Sequence, residues 1–196
     1  MSAVSLAGKA DWLAKDDLQR LLAALSQGDE EARLAGGAVR NALLGEAVSD
    51  IDIATTTVPE ETERRAQAAG FRTVPTGKEH GTITVIAGGE AYEVTTLRAD
   101  VATDGRHASV AFGKDWKADA ERRDFTINAL YATAAGEVID LVGGLADLET
   151  RTLRFIGDAE ARIREDYLRI LRFFRFFAWY GDGRPDPEGL RACARL

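Results

Sequence analysis

The stretch Ala32-Arg33-Leu34-Ala35-Gly36-Gly37-Ala38-Val39-Arg40-Asn41-Ala42-Leu43-Leu44-Gly45, followed by Asp50-Ile51-Asp52-Ile53-Ala54, decides the fold class. Its first four residues suit a short buried strand, two glycines make a turn, and the following apolar residues keep helical spacing until Gly45. Asp50 to Ala54 alternates polar and apolar residues, the period of a strand with one solvated face. Strand, glycine turn, helix and strand in this order predict a domain mixing helices with a sheet. Residues two apart on a strand share a face, so the carboxylates of Asp50 and Asp52 converge while Ile51 and Ile53 point to the core.

Working outward, Trp12, Leu13, Leu18, Leu21, Leu22 and Leu25 predict a helix from Asp11 to Leu25, and Pro59 to Ala69 predicts another with proline in its first turn. Thr82 to Ala87 and Ala91 to Thr96 read as strands of a hairpin turned by Gly88-Gly89-Glu90. Arg98 to Lys117 reads as a long polar loop. Asp119 to Thr133 is expected as a helix, Glu137 to Val142 and Arg151 to Ile156 as strands, and Asp158 to Tyr180 as one long apolar helix. A further helix starts at Pro185. The front is therefore α+β or α/β and the rear all helix.

Composition narrows the classes. With a single cysteine, Cys193, a disulfide scaffold is excluded, and with only His80 and His107 the sequence argues against a zinc cluster. No stretch approaches the ~18 apolar residues of a membrane span, and Met1 to Trp12 has no leader-like run, so a soluble protein of a reducing cytoplasm, with no membrane partner, is expected. Residues 1–150 hold 15 basic and 25 acidic side chains, whereas residues 151–196 hold 10 and 7, all ten being arginine. An acidic front and an arginine-rich rear point to two functional zones.

Paired carboxylates need a counter-charge, and Mg²⁺ takes one or two carboxylates together with substrate phosphates. An isolated Asp-x-Asp equally suits a solvated strand face. The Gly36-Gly37 turn changes the balance, because glycines let a phosphate approach backbone N–H groups at a helix start, and Arg40 adds charge one turn in. An anion site and a metal site on neighbouring elements suit a nucleoside triphosphate with Mg²⁺. Further on, Asp124 and Asn128 fall four apart on the expected helix, with Phe125 and Ile127 available for the core. Asp166, Arg169, Arg172 and Arg175 are spaced three apart on the rear helix, opposite Ile170, Phe174 and Phe177. So apolar a helix should be heavily buried, its arginines lining a cleft; ion pairs with Glu165 or Asp166 are their other reading.

Five stretches in order, Leu34 to Arg40, Asp50 to Thr55, Arg122 to Leu130, Asp140 to Gly144 with Asp147-Leu148, and Glu165 to Arg169, resemble the motifs of the class II tRNA nucleotidyltransferase and bacterial poly(A) polymerase family. The resemblance covers about residues 30 to 196. It implies an α+β fold: a polymerase-β-like nucleotidyltransferase head with a mixed β-sheet and flanking helices, followed by a helical neck. The corresponding domains are an N-terminal helix over 1–30, the head over 31–157 and the start of the neck over 158–196, with a helical body and tail expected beyond. Asn41 stands where the family usually has aspartate, which removes a local salt bridge.

The resemblance also implies the chemistry: the 3′-hydroxyl of a tRNA attacks the α-phosphorus of CTP or ATP and pyrophosphate leaves. Asp50 and Asp52 are the expected catalytic residues and hold the metal, two Mg²⁺ ions, with Glu93 a possible third carboxylate. Gly37 and Arg40 contact the triphosphate, Arg123 supports nucleotide binding, and Asp124 with Asn128 face the ribose. Cytosine and adenine pair an exocyclic amine with an unprotonated ring nitrogen, whereas guanine and uracil pair a carbonyl with a ring N–H. Asp166 as acceptor and Arg169 as donor therefore match C and A, and Arg172 and Arg175 beyond them meet phosphate or RNA. A poly(A) polymerase shares these motifs but typically adds an arginine-rich signature near the head hairpin. Thr76 to Thr82 carries no such cluster, which favours tRNA end maturation. CC-only and A-only addition stay open, since the family sets them through the loop here spanning Arg98 to Lys117. A non-catalytic nucleotide-binding fragment is the third reading, opposed by the retained Asp50 and Asp52.

Overall fold

The structure, a computed structural model, describes residues 3–99 and 111–196. The chain forms two compact units, residues 1–119 with 131–139 and residues 120–130 with 140–196.

The first unit is built on strands β1 Ala32–Ala35, β2 Asp52–Thr55, β3 Arg72–Gly77, β4 Thr82–Ala87 and β5 Glu90–Thr96, a short pair β6 Arg98–Ala99 and β7 Ala111–Phe112, then β8 Leu130–Ala132 and β9 Val138–Asp140. Seven of them make a mixed sheet in the order β3-β4-β5-β2-β1-β8-β9. The β2–β5 pair is parallel, while β1 is antiparallel to both β2 and β8. Helices α1 Asp16–Leu25, α2 Gly37–Leu44, α3 Pro59–Ala68 and α4 Trp116–Glu121 complete the unit. Register settles which side chains share a face: Leu34 lies opposite Ile53 and Ile53 beside Val94, all fully buried, with α1 and α3 packed against the sheet. On the other face Arg33 stacks over the Trp116 ring at 4.0 Å, and Trp116 meets Tyr131 edge-on at 5.3 Å.

Several expectations are corrected in this unit. The helix from Asp11 to Leu25 breaks at Lys15, whose extended backbone (φ −60°, ψ 127°) separates a 3₁₀ turn over Asp11–Ala14 from α1. Strand β3 was not foreseen: as an exposed edge strand containing Pro75, it carries no apolar alternation to read. Asp119 to Thr133 is not one helix. It comprises the end of α4, a 3₁₀ turn over Thr126–Asn128 and strand β8, in which Tyr131 pairs with Ala35 and Ala132 with Leu34. Burial of all three β8 side chains on a central strand overrides their helical propensity. Of the Arg98 to Lys117 loop, residues 100–110 lie outside the described residues, and its two ends form β6, β7 and the start of α4.

The second unit contains α5 Gly144–Glu149, α6 Ala159–Glu165, α7 Leu168–Tyr180 and α8 Pro187–Arg195. Its core is aromatic: Phe155 stacks on Phe173 at 5.4 Å, and Phe125 touches both rings and Phe176. The strand expected over Arg151 to Ile156 reduces to a single bridge, Phe155 to Phe125. The long helix from Asp158 to Tyr180 is broken at Asp166, whose backbone is extended (φ −156°, ψ 105°). Heavy burial of this helix is also corrected. Phe173 is buried, but Leu168, Leu171, Phe174 and Trp179 are 63%, 68%, 46% and 76% exposed, because the aromatic core engages one face of α7.

Candidate active site

Ala35, the last residue of β1, is the register partner of Asp52, the first of β2, so the Gly36-Gly37 turn leaves the sheet beside that carboxylate. Gly36 adopts φ 66°, ψ −121°, a conformation closed to residues with a Cβ, and offers no capping side chain to the first turn of α2. The buried Arg40 brings Nη2 to 3.5 Å from the position of a Cβ on Gly37, so its guanidinium lies at the turn. Its Nε donates to Asn41 Oδ1 at 3.0 Å, and Asn41 Nδ2 donates to the Ala47 carbonyl at 2.8 Å. The amide thus keeps a neutral contact to Arg40 and adds a donor that an aspartate lacks.

Asp50 and Asp52 are both exposed, and Asp52 stands in register with Glu93 on the parallel strand β5. The pair Ile51 and Ile53 divides: Ile53 is in the core and Ile51 only half-buried. Ser49 Oγ donates to Asp50 Oδ2 at 2.8 Å. Beside Asp50 opens a cavity of about 320 Å³ bordered by Trp12, Lys15, Ser49, Glu90 and Tyr92, none of which the sequence reading gave a site role. Lys15 donates to Glu90, as does the Tyr92 hydroxyl at 2.8 Å. Those two donors hold the Glu90 carboxyl below the ordinary carboxylate range, while burial and then Glu90 push the Tyr92 phenol up. Among the described residues, no three His, Cys, Asp or Glu side chains group as a metal cage.

In the second unit, Asp124 and Asn128 do meet, though not across a helix: Asp124 precedes the 3₁₀ turn and Asn128 closes it, with Asn128 Nδ2 donating to Asp124 Oδ1 at 3.1 Å. Phe125 N donates to the same oxygen at 2.9 Å. Arg172 holds the other oxygen, Oδ2, through Nε at 2.7 Å and Nη2 at 2.6 Å. Arg123 Nη1 donates to the Asn128 carbonyl at 3.4 Å. Gly144 packs so tightly on this turn that a Cβ there would stand 2.3 Å from the Thr126 carbonyl oxygen. The Asp140 carboxylate shapes the approach, accepting from the backbone N–H of Val142, Gly143, Gly144 and Leu145. Asp147 accepts from Thr126 Oγ1 at 2.7 Å and pairs with Arg154.

Asp166 sits at the break between α6 and α7, its carbonyl accepting from Arg169 N at 3.0 Å one turn further on, and its Oδ1 accepts from Leu168 N at 3.0 Å at the start of α7. Arg169 donates to Glu165 Oε2 at 2.6 Å and to the Arg162 carbonyl at 2.8 Å, which fixes its guanidinium near the break. Arg175 is exposed, its guanidinium 5.3 Å from the Phe176 ring centroid. The first unit therefore groups Gly37, Arg40, Asp50 and Asp52; the second groups Arg123, Asp124, Asn128 and Arg172, with Asp166 and Arg169 at the start of α7.

Residues 32–154 match the poly A polymerase head domain family. The human mitochondrial CCA tRNA nucleotidyltransferase 1 is 50% identical over 85% of this chain and 39% of its own length. The crystal structure of the Bacillus stearothermophilus CCA-adding enzyme in complex with CTP superposes with a TM-score of 0.77 at 38% identity, covering 90% of this chain and 42% of that one. The Thermotoga maritima CCA-adding enzyme complexed with tRNA gives a TM-score of 0.76 at 26% identity over 100% of this chain and 46% of that one. The chain spans about two-fifths of the length of the curated relatives it matches. By the match over residues 32–154, and by a sheet whose strand β2 opens with Asp52, two residues after Asp50, beside a glycine turn, the chain belongs to the poly A polymerase head domain family.

Proposed function

We propose that the protein transfers CMP and AMP from CTP and ATP to the 3′ end of tRNA, making or repairing its CCA terminus. The observation that carries this is the register of Ala35 with Asp52, which sets a glycine turn and helix start beside an exposed pair of carboxylates. The N–H groups opening α2 and the Arg40 guanidinium suit a triphosphate. Asp50 and Asp52 fit magnesium as a donor set: both are hard oxygen ligands, and two carboxylates with substrate phosphates complete the coordination that Mg²⁺ takes. Magnesium bound there would offset charge on the attacking and leaving oxygens of the displacement. The protein's own part is to orient: Gly37 and Arg40 hold the triphosphate, Arg123 supports the nucleotide, and Asp124 with Asn128 address the ribose. Asp166 accepts from the exocyclic amine of C or A while Arg169 donates to the adjacent ring nitrogen. The exposed Arg175 extends positive charge toward RNA, while the Arg172 guanidinium is paired with the Asp124 carboxylate.

The head over residues 31–157 and the start of the neck over 158–196 follow the family resemblance; residues 120–130 and 140–157 of that head fold in one compact unit with the neck residues. No described helix is long and apolar enough to cross a membrane. A buried, unpaired Cys193 suits a reducing compartment: the cytoplasm by the sequence reading, although three vertebrate relatives are named mitochondrial. The test is incorporation of labelled CTP and ATP into tRNA lacking its CCA end. Addition of C and then A is expected; extension of generic RNA with ATP alone would replace this reading with poly(A) synthesis.

A further inference from the structure

Asp124 is 8% exposed, and four donors converge on its carboxylate. Oδ2 accepts from Arg172 Nε at 2.7 Å and Nη2 at 2.6 Å; Oδ1 accepts from Asn128 Nδ2 at 3.1 Å and Phe125 N at 2.9 Å. Each oxygen is gripped from two directions, so the carboxylate cannot turn about its terminal torsion. The grip on Oδ1 is local, from residues within four positions in sequence. That on Oδ2 comes entirely from Arg172, 48 residues away on α7. Its guanidinium is itself braced, 5.1 Å from the Phe176 ring centroid one turn further along. A guanidinium presents two N–H groups at fixed separation, which an ammonium cannot imitate.

We infer that Arg172 is a positioning residue for sugar selection: by locking the Asp124 carboxylate it sets the preference for ribose over deoxyribose, without itself binding the nucleotide. This rests on the reading that Asp124 and Asn128 address the ribose. A carboxylate held in one orientation makes a charge-assisted hydrogen bond only with a sugar hydroxyl that meets it there, so a sugar lacking that hydroxyl forgoes the bond. Without Arg172 only Oδ1 stays fixed. The group then swings and adapts to either sugar. Base choice, assigned to Asp166 and Arg169, does not pass through this pair.

The experiment compares CTP, 2′-deoxy-CTP and UTP with the unaltered protein and with Arg172→Gln, Arg172→Lys, Asp124→Asn and the double variant Asp124→Asn/Arg172→Gln, reading kcat/KM for each nucleotide. Arg172→Gln should lower the CTP to deoxy-CTP preference about tenfold, the effect of one charged hydrogen bond, while the CTP to UTP preference stays put. Arg172→Lys keeps the charge beside Asp124 and serves as the second readout should the glutamine variant fold poorly; it should lose most of the same preference. The double variant should lose no more than Asp124→Asn alone, as two residues acting through one contact are not additive. A CTP to deoxy-CTP ratio unmoved in both Arg172 variants but lowered by Asp124→Asn would overturn the inference and leave the ribose reading standing. A ratio unmoved by Asp124→Asn would remove the ribose reading, and the inference with it.

Discussion

Gly36 and the paired aspartates carry different kinds of constraint. Gly36 is fixed by backbone shape: at φ 66° and ψ −121° any side chain is strained, so Gly36→Ala should cost stability on the order of 1–3 kcal/mol, measured by urea unfolding. Asp50 and Asp52 are exposed, and the chemistry proposed for them lies in their paired carboxylates. Asp50→Asn and Asp52→Asn are each expected to abolish nucleotide transfer, and for Asp50→Asn the unfolding midpoint should stay level or rise slightly, because a like-charge neighbour is removed. Near-normal incorporation by either carboxylate variant would refute the metal assignment. These residues were legible because each carries its reason locally, in a turn or in an i, i+2 spacing. Of the partners of Asp124, Asn128 was legible four positions away but Arg172 was not, because it lies 48 residues downstream.

At the level of elements, α3 and α7 show how differently helices are held. In α3 the Glu61 carboxyl accepts from Arg64 and Arg65, which hold its pKa down to about 2 from an ordinary 4.5. A carboxyl depressed in the folded state contributes stability that is fully present above about pH 4.5 and is lost as the pH falls toward 2. Glu61→Gln should therefore be less stable than the unaltered protein at pH 6, with the gap closing by pH 2 in parallel denaturant titrations; the group lies at the surface and is only half-buried, so solvent keeps the effect small. Helix α7 is held by packing: Phe173 is fully buried against Phe155 and Phe125. Phe173→Ala should cost about 3–5 kcal/mol in urea unfolding. Periodicity located both helices, yet could not show that Asp166 interrupts the second. Its neighbours Glu165 and Tyr167 are compatible with a continuous helix, and the break is stabilised by the Asp166 cap on Leu168 N.

For the molecule as a whole, nucleotide binding links to folding: a ligand present at a hundred times its Kd raises stability by about 2.7 kcal/mol. CTP and ATP should raise the melting temperature of the 196-residue chain only with magnesium present, and more than UTP or GTP do; an equal rise without magnesium would count against Asp50 and Asp52 as its ligands. By itself the sequence determined the strand-turn-helix-strand start of the sheet and the Gly88-Gly89 hairpin, because propensity, turn chemistry and two-residue alternation act over a few neighbours. Only the tertiary structure decided the identity of residues 119–133, where pairing of Tyr131 and Ala132 with β1 turned an apparent helix into a central strand. It also decided the division of the chain into units that no single cut separates, since residues 120–130 fold with 140–196 while residues 131–139 join the sheet. Strand partners and side-chain donors distant in sequence leave no periodic trace, and their energy appears only once the chain has brought them together.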